Sequence, residues 1–300
     1  MNSLVWRPIP FNFGPLMPDT YFRFGLLRES STPTLSPLIF EWGFRQTHLQ
    51  GEYKLLAVPG PNVARCLQDC DWDGLNVTVP HKTLAFQLCQ DTTERARKAG
   101  AVNTLYKRDG VLWGDNTDIP GFQFALRRFL QGKIPSNILV LGSGGAARAV
   151  LVSIDELFPQ ADVTITSRTP DVTAEKIPQF DADRHRVVSI EDAALTLPYF
   201  DLIVQATPVG SGRIPGVPLP LPLKFSPACF VFDLVYLPRR TFFLQTAESL
   251  GAHVENGLIM LIAQAARSFE IWTGVPFPID HAMEELVPVL QTHDPLSHSR

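Results

Sequence analysis

Lys82 and Asp118 are the pair in this chain best suited, by type and setting, to proton transfer. Lys82 closes the stretch Asn76-Val-Thr-Val-Pro-His-Lys82, and Asp118 closes Gly114-Asp-Asn-Thr-Asp118; Gly100-Ala-Val-Asn-Thr104 lies between them. Each is a polar loop beside an apolar run, so a lysine, a carboxylate and two side-chain hydrogen bonders arrive within about forty residues. Oxidising a secondary alcohol needs a group that accepts the hydroxyl proton while hydride leaves, and the reverse reaction needs an acid. A lysine held by an aspartate can serve both directions, and its ammonium can polarise a carbonyl oxygen. Taken alone, such a pair also reads as a surface ion pair, worth about 0–1 kcal/mol.

Hydride needs a carrier, and a second motif offers one. Ile138-Leu-Val-Leu141 reads as a buried strand, followed by Gly142, Ser143, Gly144, Gly145 and Ala146 and then a helix. Glycines in such a turn permit positive φ and let backbone N–H groups approach a pyrophosphate, and the helix N-terminus adds partial positive charge. A plain strand-to-helix turn would share the composition. The next strand ends in Thr166-Ser167-Arg168-Thr169, where an adenosine ribose is read. An acidic residue there grips a 2′-hydroxyl, whereas an arginine accommodates a 2′-phosphate. Arg168 therefore favours NADP, with NAD the less favoured cofactor and a solvated surface arginine the competing reading.

The elements that must hold these loops follow a βα alternation, the pattern of a mostly parallel sheet. A first strand is expected at Tyr21–Gly25, a helix opened by Ser36 as N-cap with Pro37 in its first turn, and strands at 53–58 and 75–79. A charged helix at 92–98 precedes a hairpin around Asp109-Gly110. After a helix at 120–130 a second series begins: strand 138–141, helix 145–157, and strands at 163–166, 201–205 and 229–234, all apolar as in a sheet covered on both faces. The pattern is helical again from Gly257 to Thr273, and Pro208 to Pro222 is a glycine- and proline-rich loop expected near the cofactor.

Three hundred residues exceed what one core usually organises, so two domains are expected. A net charge of −4 gives no electrostatic case for nucleic acid or an anionic membrane, and no apolar run is long enough for a membrane span. Met1 to Thr20 carries four prolines without the order of a signal peptide and reads as an extended arm or a poorly ordered tail. Cys66 and Cys70 lie one helical turn apart, yet no second pair accompanies them; buried thiols and a cytoplasmic protein are expected, with no metal.

Together these motifs resemble the shikimate dehydrogenase family, which includes shikimate and quinate dehydrogenases, from about Tyr21 onward. The resemblance implies an α/β protein of two domains. Residues 21–119 and 257–300 would form a substrate domain, and 120–256 a Rossmann-type NADP domain, with the C-terminal helices returning to the first and a cleft between them. It implies Lys82 and Asp118 as the catalytic pair. Thr34, Ser36, Thr78, Asn103, Asp118, Tyr236 and Gln264 would bind substrate; Asn103 could instead cap its own turn. Cofactor contacts would come from Gly142 to Ala146 and Ser167 to Thr169, with Glu94, Leu234 and Gly257. The implied reaction is reversible NADP-dependent reduction of 3-dehydroshikimate to shikimate, on a small molecule alone, by a chain compatible with a homodimer. A quinate/shikimate dehydrogenase using NAD or NADP, and a non-catalytic metabolite-binding regulator, are the alternatives.

Three departures from the family pattern bear on specificity. Thr34-Leu-Ser36-Pro37 stands where Ser-x-Ser-Pro is usual, without the histidine two residues later, and the loop Leu26 to Pro33 is longer. Val172 stands where a second basic residue often follows the arginine, beside Ser167 in place of an asparagine. Gln205 begins Gln-Ala-Thr-Pro-Val-Gly210, where asparagine is usual.

Overall fold

The computed structural model describes residues 20–29, 33–69, 71–178 and 180–292. The arm Met1 to Thr20 up to residue 19, residues 30–32 of the long loop, Cys70 and the Val172 side chain lie outside the described residues. The chain forms two compact units, one running to Gly121 and resuming at Leu261, the other Phe122–Met260.

The first unit is built from β1 (Tyr21–Arg28), α1 (Ser36–Thr47), β2 (Gln50–Ala57), α2 (Val63–Asp69), β3 (Gly74–Val77), α3 (Lys82–Leu88), β4 (Asp91–Thr92), α4 (Glu94–Ala99), β5 (Thr104–Arg108) and β6 (Val111–Asp115). The sheet order is β2-β1-β3-β5-β6-β4, with β1 parallel to β2 and β3, and β5 antiparallel to β3 and β6. The β5–β6 hairpin turns at Asp109 (φ 51°) and Gly110 (φ 78°), the paired left-handed residues that a two-residue turn requires. Phe24 packs against Phe40 and Phe44 of α1 and against Phe269 and Trp272 further along the chain, while Leu27 packs on the opposite face with Val63, Val77 and Ala85. Helix α5 (Asp118–Leu130) begins in this unit and ends in the next.

The second unit comprises β7 (Asn137–Leu141), α6 (Gly145–Leu157), β8 (Asp162–Thr166), α7 (Pro170–Thr173), β9 (His185–Val188), α8 (Ile190–Thr196), β10 (Leu202–Gln205), β11 (Phe230–Asp233), α9 (Phe242–Ser249) and β12 (His253–Asn256). All six strands are parallel, in the order β12-β11-β10-β7-β8-β9. Two clusters bury its faces, one around Ile138, Val150, Val163 and Phe232, the other around Leu139, Ile203, Val231 and Phe243. Helix α10 (Leu258–Thr273) carries the chain back.

The elements depart from the sequence expectations at several points. Ser36 is already helical and Leu35 occupies the cap position, with no side-chain cap; Thr34 Oγ1 instead accepts the Ser36 N–H at 3.3 Å. Strand β1 runs on through Gly25 to Arg28, and β3 ends at Val77. The outer strands β9 and β12 carry half-buried or exposed polar residues, so neither shows the apolar run that marks a central strand.

Candidate active site

Lys82 is the first residue of α3, and the turn ahead of it is fixed from two sides. His81, 2% exposed, donates its backbone N–H to the Thr78 carbonyl at 2.9 Å, and its Nε2 lies 2.9 Å from the Val58 carbonyl. Asp118 opens α5 after the loop from β6. The two side chains meet: Lys82 Nζ donates to Asp118 Oδ2 at 2.5 Å, with side-chain exposures of 12% and 8%. A pair so withdrawn from water is not the solvated surface contact that the residue types alone allowed.

Asn103 completes this arrangement. Its Nδ2 donates to Asp118 Oδ1 at 2.9 Å, and its Oδ1 accepts the Thr117 N–H at 2.7 Å. A carboxylate can only accept and a backbone N–H can only donate, so the amide orientation is fixed from both ends. Asn103 is thus a partner of the Asp118 carboxylate and not merely the cap of its own turn. Gln264 of α10 is 8% exposed; its Nε2 donates to the Leu261 carbonyl at 2.8 Å, and its Oε1 lies 3.4 Å from Asn103 Nδ2. Gly121 admits this helix, since a Cβ there would lie 2.8 Å from that of Gln264. Thr34 Oγ1 and Ser36 Oγ stand 3.1 Å apart, and half-buried Thr78 donates its N–H to Leu27 O at 3.1 Å.

Beneath these groups lies a buried knot that the motifs did not reveal. Thr104, Thr117 and Ser268 are fully buried, with hydroxyl oxygens 2.9–3.1 Å apart. Asn76 Nδ2 donates to Ser268 Oγ at 2.9 Å, and Tyr53 donates its hydroxyl to Asn76 Oδ1 at 2.9 Å. Asn76, Thr104 and Thr117 lie inside the polar loops, but Ser268 sits in an apolar helix; its signal was position i+4 from Gln264, on the same face. A second support is Asp115, fully buried, which accepts from Arg95 Nε and Nη2 at 2.6 Å each and from Thr93 Oγ1 at 2.7 Å. Burial by itself raises this carboxyl, but Arg95, Thr93 Oγ1 and the Asn116 N–H outweigh it and hold it below the usual carboxylate range.

In the second unit the glycine turn falls where strand order reverses, with β8 on one side of β7 and β10 on the other. Ligands of open parallel sheets bind outside the carboxyl ends at such a point. Gly142 has φ 107°, and a Cβ there would meet Thr207 Cγ2 at 2.7 Å; Thr166 Oγ1 accepts its N–H at 3.1 Å. A Cβ on Gly144 would meet nothing, leaving its backbone accessible at the N-terminus of α6, beside Ser143, Gly145 and Ala146. Ser167 is buried and serves the loop, accepting from the Thr169 N–H and Thr173 Oγ1, whereas Arg168 and Thr169 are exposed. Gly257 lies against the backbone of Leu234, where no Cβ would fit, and Tyr236 is half-buried after β11. In the first unit, Glu94 is exposed and pairs with Lys98 at 3.4 Å.

Residues 30–105 match the model of the shikimate dehydrogenase substrate binding domain, and 257–287 that of the shikimate 5′-dehydrogenase C-terminal domain. The chain is 37% identical over 271 residues to a shikimate dehydrogenase (NADP(+)) of Oleidesulfovibrio alaskensis, covering 86% of this chain and 92% of that one. The chain belongs to the shikimate dehydrogenase family. An Exiguobacterium shikimate dehydrogenase (NADP(+)) is 38% identical, covering 81% of this chain and 89% of its own. Shikimate 5-dehydrogenase of Thermus thermophilus, solved with NADP(H) and shikimate, superposes with a TM-score of 0.75 at 33% identity, covering 90% of this chain and 99% of that one. A quinate dehydrogenase of Corynebacterium glutamicum, at 24% identity and TM-score 0.77 over 89% of this chain and 99% of its own, shares the fold.

Within this family frame the departure at Gln205 has a local explanation. The fully buried amide donates to the carbonyls of Thr207 and Val209 at 3.0 and 2.8 Å and accepts from Thr207 N and Oγ1 at 2.7 and 2.8 Å. Glutamine here holds the loop beside Gly142. The thiols of Cys89 and Cys229 are pushed up to about 12 by burial, which keeps both as thiols. No group of metal-binding side chains occurs among the described residues.

Asp233, fully buried after Phe232, accepts from Val235 N at 3.0 Å and Thr241 Oγ1 at 2.7 Å, and burial raises it to about 6 despite these bonds. Between pH 4 and 6 the folded chain therefore holds the extra proton, so this group's stabilising contribution is full below about 4 and is lost as pH rises through about 6. Against Asp233→Asn, the native chain should lose on the order of 2–3 kcal/mol across that window. Calorimetric unfolding of both at pH 4 and 7 checks this; parallel pH profiles would contradict it.

Proposed function

We propose that this chain catalyses reversible NADP-dependent reduction of 3-dehydroshikimate to shikimate. The observation that carries the reading is the withdrawn Lys82–Asp118 pair with Asn103 locked against it. In the reducing direction Lys82 Nζ gives a proton to the carbonyl oxygen of the substrate as hydride arrives at the carbon; in the oxidising direction it takes the hydroxyl proton back. Asp118 holds Nζ through Oδ2, and Asn103 keeps the carboxylate from rotating. Ring hydroxyls fall to Asp118, Asn103 and Gln264, and the carboxylate to the hydroxyls of Thr34, Ser36 and Thr78. Tyr236 is assigned to the substrate as well.

The glycine turn fits a dinucleotide, because Gly142 needs its positive φ and Gly144 leaves backbone open at a helix end. Bound NADPH supplies the hydride. Gly142, Ser143, Gly144, Gly145 and Ala146 would hold the pyrophosphate. Exposed Arg168, flanked by Ser167 and Thr169, would face the 2′-phosphate, with Glu94, Leu234 and Gly257 completing the cofactor set. We assign substrate binding to residues 21–119 with 257–300 and cofactor binding to 120–256. The reading extends to a cytoplasmic protein; no helix among the described residues is long and apolar enough to cross a membrane. It extends also to a homodimer, supported by the outer strand β2, which leaves Leu55 46% exposed, and tested by light scattering.

Initial rates with shikimate and quinate, each with NADP and NAD, test the reading. Turnover of shikimate with NADP is expected to dominate; comparable quinate or NAD rates would move the chain to a quinate/shikimate dehydrogenase, and no turnover would favour a metabolite-binding regulator. Arg168→Ala should lower kcat/KM with NADP by about tenfold or more, the size of a charge-assisted hydrogen bond, and leave NAD nearly unchanged. Equal losses with both cofactors would remove Arg168 from the phosphate site.

A further inference from the structure

The first sheet also has a point where strand order reverses, between β1 and β3, and a buried arginine stands there. β1 carries β2 on one side and β3 on the other, so the carboxyl ends of β1 and β3 flank the position where open parallel sheets bind ligands. β1 ends at Arg28, which is 4% exposed, as withdrawn as Ser36, Asp118 and Gln264. The parallel register pairs Leu26 with Asn76 and Leu27 with Val77, which sets Arg28 beside Thr78.

Side chains alternate along a strand, so Arg28 shares the face of Phe24 and Leu26 and lies opposite Leu27. That is the face covered by α1 and α10, since Phe24 meets Phe40, Phe44 and Phe269. Asn76 reaches Ser268 of α10 on this same face, and Thr78 follows it by two residues. Phe24 lies level with Phe40 and Phe44. Ser36 begins α1 one turn ahead of Phe40, and Arg28 ends β1 four residues beyond Phe24. Thr34 and Ser36 present a hydroxyl pair at the start of α1.

We propose that Arg28 is a specificity-determining residue that receives the carboxylate of the substrate, together with Thr34, Ser36 and Thr78. This rests on the assignment of a cyclohexene carboxylate to the site. A guanidinium presents several N–H donors in a planar fork, and a carboxylate can accept two of them in parallel. Hydroxyls alone hydrogen-bond a carboxylate and a carboxamide with little preference, because each can donate or accept. Arg28 adds the charge that separates them, and it offsets the narrowing of the corner by the Thr34 methyl.

The test compares shikimate with its uncharged carboxamide in the native chain, Arg28→Gln and Arg28→Lys, with NADP in excess. The native chain is expected to favour the acid by about 10- to 100-fold in kcat/KM, the worth of charge-assisted hydrogen bonds. In Arg28→Gln that preference should fall to within about threefold, through KM for the acid and not through kcat, while Arg28→Lys recovers part of it. Equal kcat/KM for acid and amide in the native chain would overturn the proposal without recourse to any variant. So would an Arg28→Gln chain that loses acid and amide alike, which marks a purely structural arginine. If the native chain turns over neither compound, the dehydrogenase reading fails, and the acid-over-amide comparison is then made as calorimetric binding, where equal affinities again overturn the role of Arg28.

Discussion

Lys82→Ala should lower kcat for shikimate oxidation by about 10²- to 10⁴-fold, the usual worth of a positioned acid–base group, and leave shikimate binding within about tenfold. The split follows from the geometry. Asn103 and Gln264 keep their contacts when the lysine is truncated, because Asn103 is held by Thr117 N and by Asp118 Oδ1 independently of Nζ. What disappears is the group assigned to give and take the reacting proton. Asp118→Asn should show a related loss, since its single amide oxygen can accept from Lys82 Nζ or from Asn103 Nδ2 but not from both, and its NH2 then faces the other donor. Single-turnover rates and calorimetric affinities for shikimate measure the two effects separately. Undiminished turnover in Lys82→Ala would dismiss the lysine as the proton carrier.

Much of this site was legible because three of its loops are polar inserts beside apolar strands, close in sequence. Lys82, Asn103 and Asp118 meet through a short stretch of chain, and the glycine turn with helix 145–157 is local in the same sense. The hidden part is what distance in sequence conceals. Ser268 reaches Asn76 across 192 positions, and nothing in an apolar helix distinguishes a serine that closes a hydroxyl knot from one that back-bonds its own turn. Arg28 escaped for a different reason. Gly25 reads as the end of a strand, yet it lies mid-strand opposite Lys54, where a Cβ would come within 2.8 Å of the Lys54 carbonyl. The glycine answers close packing of neighbouring backbones, so the strand continues three residues further and carries the arginine to its carboxyl end. In the same way β9 and β12 were missed because outer strands need no apolar run.

Arg95→Met should cost about 3–5 kcal/mol, the penalty of leaving a buried charge without its partner. Asp115 is fully buried and its two oxygens take Arg95 Nε and Nη2 at 2.6 Å each, while its backbone carbonyl accepts the Asn103 N–H at 3.0 Å. The ion pair therefore anchors the strand end that leads to Thr117 and Asp118. The native chain and the variant should also respond to acid in opposite senses. With Arg95 present the Asp115 carboxyl titrates below its ordinary range, so its contribution to stability is present above about pH 4 and is lost as pH falls through the folded value. Without Arg95, burial dominates and raises the carboxyl; its contribution is then full below about pH 4 and shrinks as pH rises. Urea unfolding at pH 4 and pH 7 reads both effects, and Trp42, Trp72, Trp113 and Trp272 all belong to the unit concerned. Arg95→Met with Asp115→Asn should regain part of the loss at pH 7 and remove the pH slope. An Arg95→Met chain as stable as the native one, with the same acid response, would show that the pair contributes nothing to holding the loop of Asp118.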